Sequence, residues 1–194
     1  MKSRLGVLLV LAVLSFSASA QSDIKVQVGP GVYTLGFSGL YGARIGYSAG
    51  LAYSQPIFDG LAFEIGANYT LKGASLSNQL QAHLDYHYLD LPILGIYHLT
   101  PQTSLLGGAQ PSFLINANRN VQGMLTDWNE GLRKIDIAAV IGVSHSLSSK
   151  FSVAVKSVIG VINSTNASAA SEVKFQNYGV QASVGFKLIS LHNE

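Results

Sequence analysis

Apolar and polar residues alternate with a period of two along most of the chain. In residues 43–53 the odd positions hold Ala, Ile, Tyr, Ala, Leu and Tyr, while the even positions hold Arg, Gly, Ser, Gly and Ala. Similar runs occupy residues 61–72, 134–144 and 177–188. Because successive side chains of a strand point to opposite faces, this alternation predicts β-strands that each carry one apolar face.

Weaker alternation predicts four further strands, which brings the total to eight. They fall at about residues 24–36, 86–99, 104–117 and 151–162. Each predicted strand has about ten or more residues, the length that a tilted strand needs to cross a bilayer. Helical periodicity is weak throughout, so the sequence predicts an all-β fold.

The predicted connections differ in length in a regular way. The short ones lie at residues 55–60, 100–103 and 148–150. The longer ones lie at residues 73–85, 119–133 and 163–176, with a shorter link at 37–42. Short turns at one end, long loops at the other and an even strand count are typical of bacterial outer-membrane barrels. The chain is therefore predicted to form an eight-stranded antiparallel up-and-down transmembrane β-barrel with both termini on the periplasmic, short-turn side.

Charged residues follow the same division of faces. A lysine or arginine that faces lipid at the bilayer midplane costs about 2–4 kcal/mol, and the charged residues within the predicted strands all fall on the polar face. These residues are Lys25, Arg44, Glu64, Lys72, Asp90, Asp136, Lys156 and Lys187. Eight strands leave an interior just wide enough for side chains. The basic residues of this set are therefore expected to neutralise Glu64, Asp90 and Asp136 in a packed lumen rather than to line a pore.

Aromatic residues on the apolar face lie near the predicted strand ends, as in the interfacial girdles of membrane barrels. Toward the short turns they are Tyr53, Phe63, Tyr97, Phe151 and Phe186, and toward the long loops they are Tyr47, Tyr69, Phe113 and Tyr178. Three prolines inside predicted strands imply local breaks or bulges. They are Pro30, Pro92 and Pro111. The large apolar residues that parity turns inward are read as interior packing, and they are Tyr33, Leu94 and Ile96.

The first residues of the chain have the features of a secretory signal peptide. Lys2 and Arg4 precede an almost wholly apolar run at 5–16, and Ala18-Ser19-Ala20 is a small-residue cleavage site. Residues 1–20 are thus predicted to be cleaved, leaving the barrel domain at 21–194. No cysteine follows the apolar run, which excludes a lipoprotein anchor.

The composition agrees with a membrane barrel and disfavours a soluble domain. Only 11% of the residues are charged, against roughly 25–35% on a typical soluble surface. After removal of the signal peptide ten basic residues face ten acidic ones, so nothing favours nucleic-acid binding. The chain has no cysteine, which excludes disulfides and thiolate metal sites.

Three short segments resemble a known family. Residues 88–94 read Tyr-Leu-Asp-Leu-Pro-Ile-Leu, residues 69–73 read Tyr-Thr-Leu-Lys-Gly, and Gly185-Phe186 lies near the end of the last strand. They resemble the PorT-like, porin-family outer-membrane barrel domains of Bacteroidota, which are small barrels of the OmpA and OmpX type. Here the chain continues to Glu194 instead of ending at the aromatic residue. The resemblance implies a Gram-negative outer-membrane protein, and a few members of the family are linked to type IX protein secretion.

Two clusters could carry chemistry. His83, Asp85 and His87 share one face of a strand and could hold zinc or copper, but no fourth ligand is evident, so no metal is expected. His145 lies between Ser144 and Ser146, which is suggestive of a hydrolase. Neighbours in a strand point to opposite faces, so these serines are not expected to meet the histidine.

Gly29-Pro30-Gly31 and Gly107-Gly108 could be mistaken for phosphate-binding loops. Neither segment is followed by the helix whose N-terminus would bind the phosphate, so no cofactor is expected.

The sequence favours a non-enzymatic, monomeric membrane protein with a filled lumen that acts in envelope structure or surface interaction. Trp128, in the long connection at 119–133, either contacts a partner or packs on the barrel rim. The expected partners are outer-membrane lipid and lipopolysaccharide, the barrel-assembly machinery during insertion, and an extracellular or secretion-system protein. The alternatives are an accessory role in secretion, a lipid-modifying barrel enzyme, and a soluble lipocalin-like periplasmic carrier.

Overall fold

The part of the chain that the structure describes forms antiparallel β-strands almost throughout. The computed structural model describes residues 22–36, 41–76, 82–130, 132–163 and 176–191. The strands are β1 (Ser22–Leu35), β2 (Tyr41–Gly42), β3 (Arg44–Phe58), β4 (Leu61–Leu76), β5 (Ala82–Asp90), β6 (Ile93–His98), β7 (Thr103–Val121), β8 (Met124–Asp127), β9 (Ile135–Ser146), β10 (Phe151–Gly160) and β11 (Asn177–Leu191). No helix among these residues is long and apolar enough to span a membrane. The predicted signal peptide, residues 1–20, lies outside the described residues.

The strands close into a ring. β1 pairs antiparallel with β3 on one side and with β11 on the other, so the first and last strands meet and Ser22 lies opposite Leu191. β5 and β6 are two halves of one barrel strand, while β2 and β8 are short additions to β4 and β7. Eight barrel strands remain, each antiparallel to its neighbours. The predicted eight-stranded antiparallel barrel is confirmed.

Apolar side chains cover the outside of this ring, and its interior holds buried charged and polar side chains together with apolar clusters such as Leu94, Val140 and Val158. Ile65, Ile137 and Val184 are 42%, 40% and 47% exposed, whereas Lys72 and Asp90 are buried. A lipocalin-like carrier would turn the apolar face inward and the charges outward. That alternative is therefore wrong, and the outer surface is one that hydrocarbon can solvate.

The predicted strand break occurs at only one of the three prolines. The strand stops at Asp90 and resumes at Ile93, and hydrogen bonds from the Leu91 N–H to the Pro111 carbonyl and from the Gly66 N–H to the Pro92 carbonyl bridge the gap at 2.8 and 2.9 Å. Pro30 and Pro111 lie inside continuous strands without a register shift. The shifts fall elsewhere, at 24/25, 56/58 and 87/88.

Several strands are longer than the sequence predicted. β3 continues to Phe58, so the first short turn is only Asp59-Gly60 instead of residues 55–60. Most of the predicted loop at 119–133 is a continuation of β7 that folds back through β8 as a hairpin. Both ends of the described chain lie at the end of the barrel that carries the short turns, which we call the short-turn end; the opposite end is the long-loop end. Residues 37–40, 77–81 and 164–175 of the longer connections lie outside the described residues.

Candidate functional site

A buried ion pair lies in the middle of the barrel. The Lys72 ammonium on β4 donates to Asp90 Oδ1 at 2.9 Å and to the Ser112 hydroxyl at 3.1 Å, and its Nζ lies 4.7 Å from the centroid of the Tyr88 ring. Both charged side chains are only 1% exposed. The alternation of β4, β5 and β7 turns these residues inward, so the lysine meets partners on the adjacent strand β5 and on the next strand β7.

The other lumen charges are only partly paired as predicted. Lys25 binds Glu64 at 2.6 Å, in agreement with the expected neutralisation. Arg44, however, pairs with Asp85, and Lys187 pairs with Asp23 at 2.6 Å. Asp136 accepts a hydrogen bond from the Asn177 amide at 2.6 Å and has no cationic partner among the described residues. Strand parity therefore predicted partners for Lys25 and Lys72 within the expected set, but not those of Arg44 and Lys187.

The side chain of Tyr33 fills part of the lumen in the long-loop half of the barrel. Tyr33 is 2% exposed, and its hydroxyl accepts a hydrogen bond from the Gln181 amide at 2.8 Å. Gly31, Gly46 and Gly179 surround the ring, and a Cβ on Gly179 would lie 2.4 Å from the ring carbon Cδ1. These glycines leave the space that the ring needs. The inward positions predicted for Tyr33, Leu94 and Ile96 are confirmed, since all three are buried.

The β7–β8 hairpin carries exposed apolar side chains beyond the barrel. Met124 and Leu125 are 74% and 65% exposed. Trp128, at the base of the hairpin, is 41% exposed, and the guanidinium of Arg119 lies over its ring at 5.4 Å. The tryptophan thus packs on a neighbouring side chain and still presents part of its surface to solvent, and its contact with a partner stays a prediction.

The short-turn end contains a cavity of about 510 Å³ that sequence reasoning missed. Serine side chains from several strands line it, with Lys25 and the paired Lys187 and Asp23 at its wall and Lys150 in the turn above it. The signal for it was the excess of small residues at inward positions near the short turns. The serine lining consists of Ser54, Ser104, Ser144, Ser146, Ser148, Ser149 and Ser152.

The sequence matches a family model described as the outer membrane protein beta-barrel domain over residues 15–166. The chain belongs to this family. No curated protein sequence matches it. The fold of this outer-membrane barrel is similar to the crystal structure of Neisserial surface protein A, at 16% identity and a TM-score of 0.60, covering 86% of this chain and 99% of that one.

A second structure of similar fold is Ail, the attachment invasion locus protein of Yersinia pestis, crystallised with the heparin analogue sucrose octasulfate. Its identity is 14% and its TM-score 0.51, covering 87% of this chain and 99% of that one. Identities this low establish the shared barrel fold only. Family membership places the protein in the outer membrane.

The residues of the candidate metal cluster in this outer-membrane barrel bind one another or other side chains. His83 Nε2 lies 3.4 Å from Asp85 Oδ2, while the same carboxylate pairs with Arg44. His87 Nδ1 lies 2.5 Å from the Tyr69 hydroxyl. Within the described ranges, no three histidine or carboxylate side chains converge as metal ligands.

His145 does not meet the serines beside it. Its Nδ1 lies 2.9 Å from the Thr103 hydroxyl, on the exposed face of β9. Ser144 and Ser146 line the cavity on the opposite face of the strand. The predicted separation of these side chains is therefore observed, and the arrangement has no serine positioned for activation by this histidine.

Proposed function

We propose that this outer-membrane barrel acts as a surface-interaction protein and that the β7–β8 hairpin is its contact region. The observation that supports this most directly is the contrast between the two parts of the molecule. The long-loop half of the lumen is packed, whereas the hairpin exposes Met124, Leu125 and part of Trp128. Exposed apolar patches on a folded protein are typical of interaction sites.

The hairpin is ordered by its own hydrogen bonds, which favours binding. The Asn129 amide donates to Asp127 Oδ1 at 2.7 Å and to Asn116 Oδ1 at 2.9 Å, and its oxygen accepts from the Ala117 N–H at 2.9 Å. The turn residues Gln122 and Gly123 have φ angles of 52° and 86°, as in the tight two-residue turns that suit hairpins. A contact surface that is already ordered loses less conformational entropy when it binds.

The orientation of the barrel can be tested with single cysteines, because the native chain has none. We expect Met124→Cys, at the hairpin tip, to react with a membrane-impermeant maleimide on intact cells. Asp59→Cys, in an exposed short turn, is expected to react only after the outer membrane is permeabilised. The reverse pattern would show that the hairpin and the termini are on the opposite sides from those proposed.

The contact role can be tested by photo-crosslinking in the native cells. With benzoylphenylalanine at position 124, we expect a discrete covalent adduct with another protein at the cell surface. Replacing Leu125 and Trp128 with serine is expected to reduce that adduct at least fivefold while heat-dependent electrophoretic mobility shows an intact barrel. Benzoylphenylalanine at position 59 is the matched control. An absence of any protein adduct specific to position 124 contradicts the proposal.

A secretion-accessory role and a lipid-modifying activity stay predictions. The first depends on the resemblance of residues 88–94 to PorT-like barrels. The second lacks a serine–histidine pair at the position considered for it. The cleaved signal peptide, the monomeric state and the contact with lipopolysaccharide and the assembly machinery likewise belong to the proposal.

A further inference from the structure

A narrow void lies beside the cavity at the short-turn end, deeper in the lumen. The cavity measures about 510 Å³, and a void of about 10 Å³ adjoins it. The two share Lys25, Ser144 and Ser152 in their linings. The deeper void holds about one water-sized sphere, so it has room for one oxygen atom, of water or of a ligand.

Lys156 lies at this deep end without a partner. It is 6% exposed and lines the narrow void, and it has no ion pair or hydrogen bond to any part of the chain that the structure describes. The nearby Glu64 carboxylate is already bound by Lys25 at 2.6 Å and by the Ser54 hydroxyl at 3.0 Å. A buried ammonium that makes no direct ion pair is costly. An anion that entered from the mouth would supply the missing partner.

The wall of the cavity has the chemistry of an anion site. Hydroxyl groups on β3, β7, β9 and β10 face the space, and hydroxyl and ammonium groups are donors to phosphate oxygens. Four lysines line the cavity and the void beside it, against two carboxylates that are both paired. The excess positive charge lies at Lys150 in the turn above the cavity and at Lys156 at its deep end.

We propose that the short-turn mouth binds a phosphorylated small molecule, with Lys156 as the deepest contact and the serine hydroxyls as further donors. The number of donors around the space suits a group with several acceptor oxygens and more than one negative charge. The volume exceeds that of inorganic phosphate and lies within the range of small-molecule sites. This site lies at the opposite end of the barrel from the hairpin, so it is independent of the proposed surface interaction.

The test is a calorimetric titration of the full mature protein in detergent with inorganic phosphate and, separately, with glycerol phosphate as a lipid-headgroup fragment. We expect saturable binding at millimolar or lower concentration. Lys156→Met is expected to weaken it about tenfold, the effect of losing one charge-assisted hydrogen bond. Lys156→Arg is expected to retain most of the affinity. Tighter binding of glycerol phosphate than of phosphate supports an organic phosphate as the ligand, whereas equal affinities would show that the site recognises only the free anion and would overturn the assignment to a phosphorylated small molecule.

Lys134→Met is the matched control, because Lys134 is exposed and lies at the long-loop end. This variant is expected to bind like the wild type. Lys150→Gln, in an exposed turn where misfolding is not expected, provides a second variant that should weaken binding about threefold through loss of one screened charge. No saturable binding to the wild-type protein, or unchanged affinity in both Lys156→Met and Lys150→Gln, overturns the proposal.

Discussion

Ile141→Lys is expected to lower the stability of the folded barrel in lipid by about 2–4 kcal/mol. Ile141 is 63% exposed and lies in the middle of β9, between the levels of the two aromatic girdles. In a soluble protein such an exposed isoleucine would accept lysine with little effect. In this barrel the ammonium would face hydrocarbon. Urea unfolding in phosphocholine vesicles, followed by the difference in gel mobility between heated and unheated samples, measures the change.

Met124→Lys is the control for this substitution. Met124 is 74% exposed but lies at the tip of the β7–β8 hairpin, outside the girdles. Its replacement is therefore expected to change the free energy of unfolding by less than about 0.5 kcal/mol. If both variants were as stable as the wild-type protein in vesicles, β9 would not be in contact with lipid.

Lys72→Met is expected to destabilise the barrel by about 3–5 kcal/mol. The substitution leaves the Asp90 carboxylate buried without its cation, and it also removes the donor to Ser112. Such a carboxylate cannot turn to solvent, because the whole Asp90 residue is inaccessible. The midpoint and slope of urea unfolding in vesicles give the loss in free energy.

The double variant Lys72→Met/Asp90→Asn separates the two costs. Asparagine keeps the shape of the aspartate without its charge, so the double variant is expected to recover at least half of the stability lost in Lys72→Met. A double variant as unstable as the single one would mean that the lysine contributes through packing on Tyr88 and not through charge pairing.

The alternation of residues predicted the barrel well because each strand lies between two different solvents. Lipid on one side of a strand excludes charged side chains, and the lumen on the other side accommodates them. The alternation of residues therefore predicts both the strands and which side chains point into the lumen. The alternation of apolar and polar residues is lost outside the bilayer, because water contacts both faces of a strand there. For that reason the continuation of β7 to Val121 and the β8 hairpin were read as loop, although tight-turn residues Gln122 and Gly123 mark the hairpin.

The candidate sites were less predictable than the fold. Parity shows that Arg44 and Lys187 lie on the polar face, but it does not give the tilt and stagger of the strands. Those quantities bring Asp85 and Asp23 to these cations instead of the predicted carboxylates. The cavity was missed for a related reason, since its volume depends on how many small inward residues come to the same level of the barrel.

The placement of Tyr33 determines how a solute could pass in and out of the barrel. The ring and the polar side chains at its level, which include Gln181 at 4% exposure, occupy the lumen beneath the long loops. The short-turn end, in contrast, contains the cavity. The cavity thus opens only toward the short-turn side of the packed level. A solute in this cavity therefore enters and leaves at the short-turn end. The occupancy of the cavity follows the concentration of that solute on one side of the membrane alone.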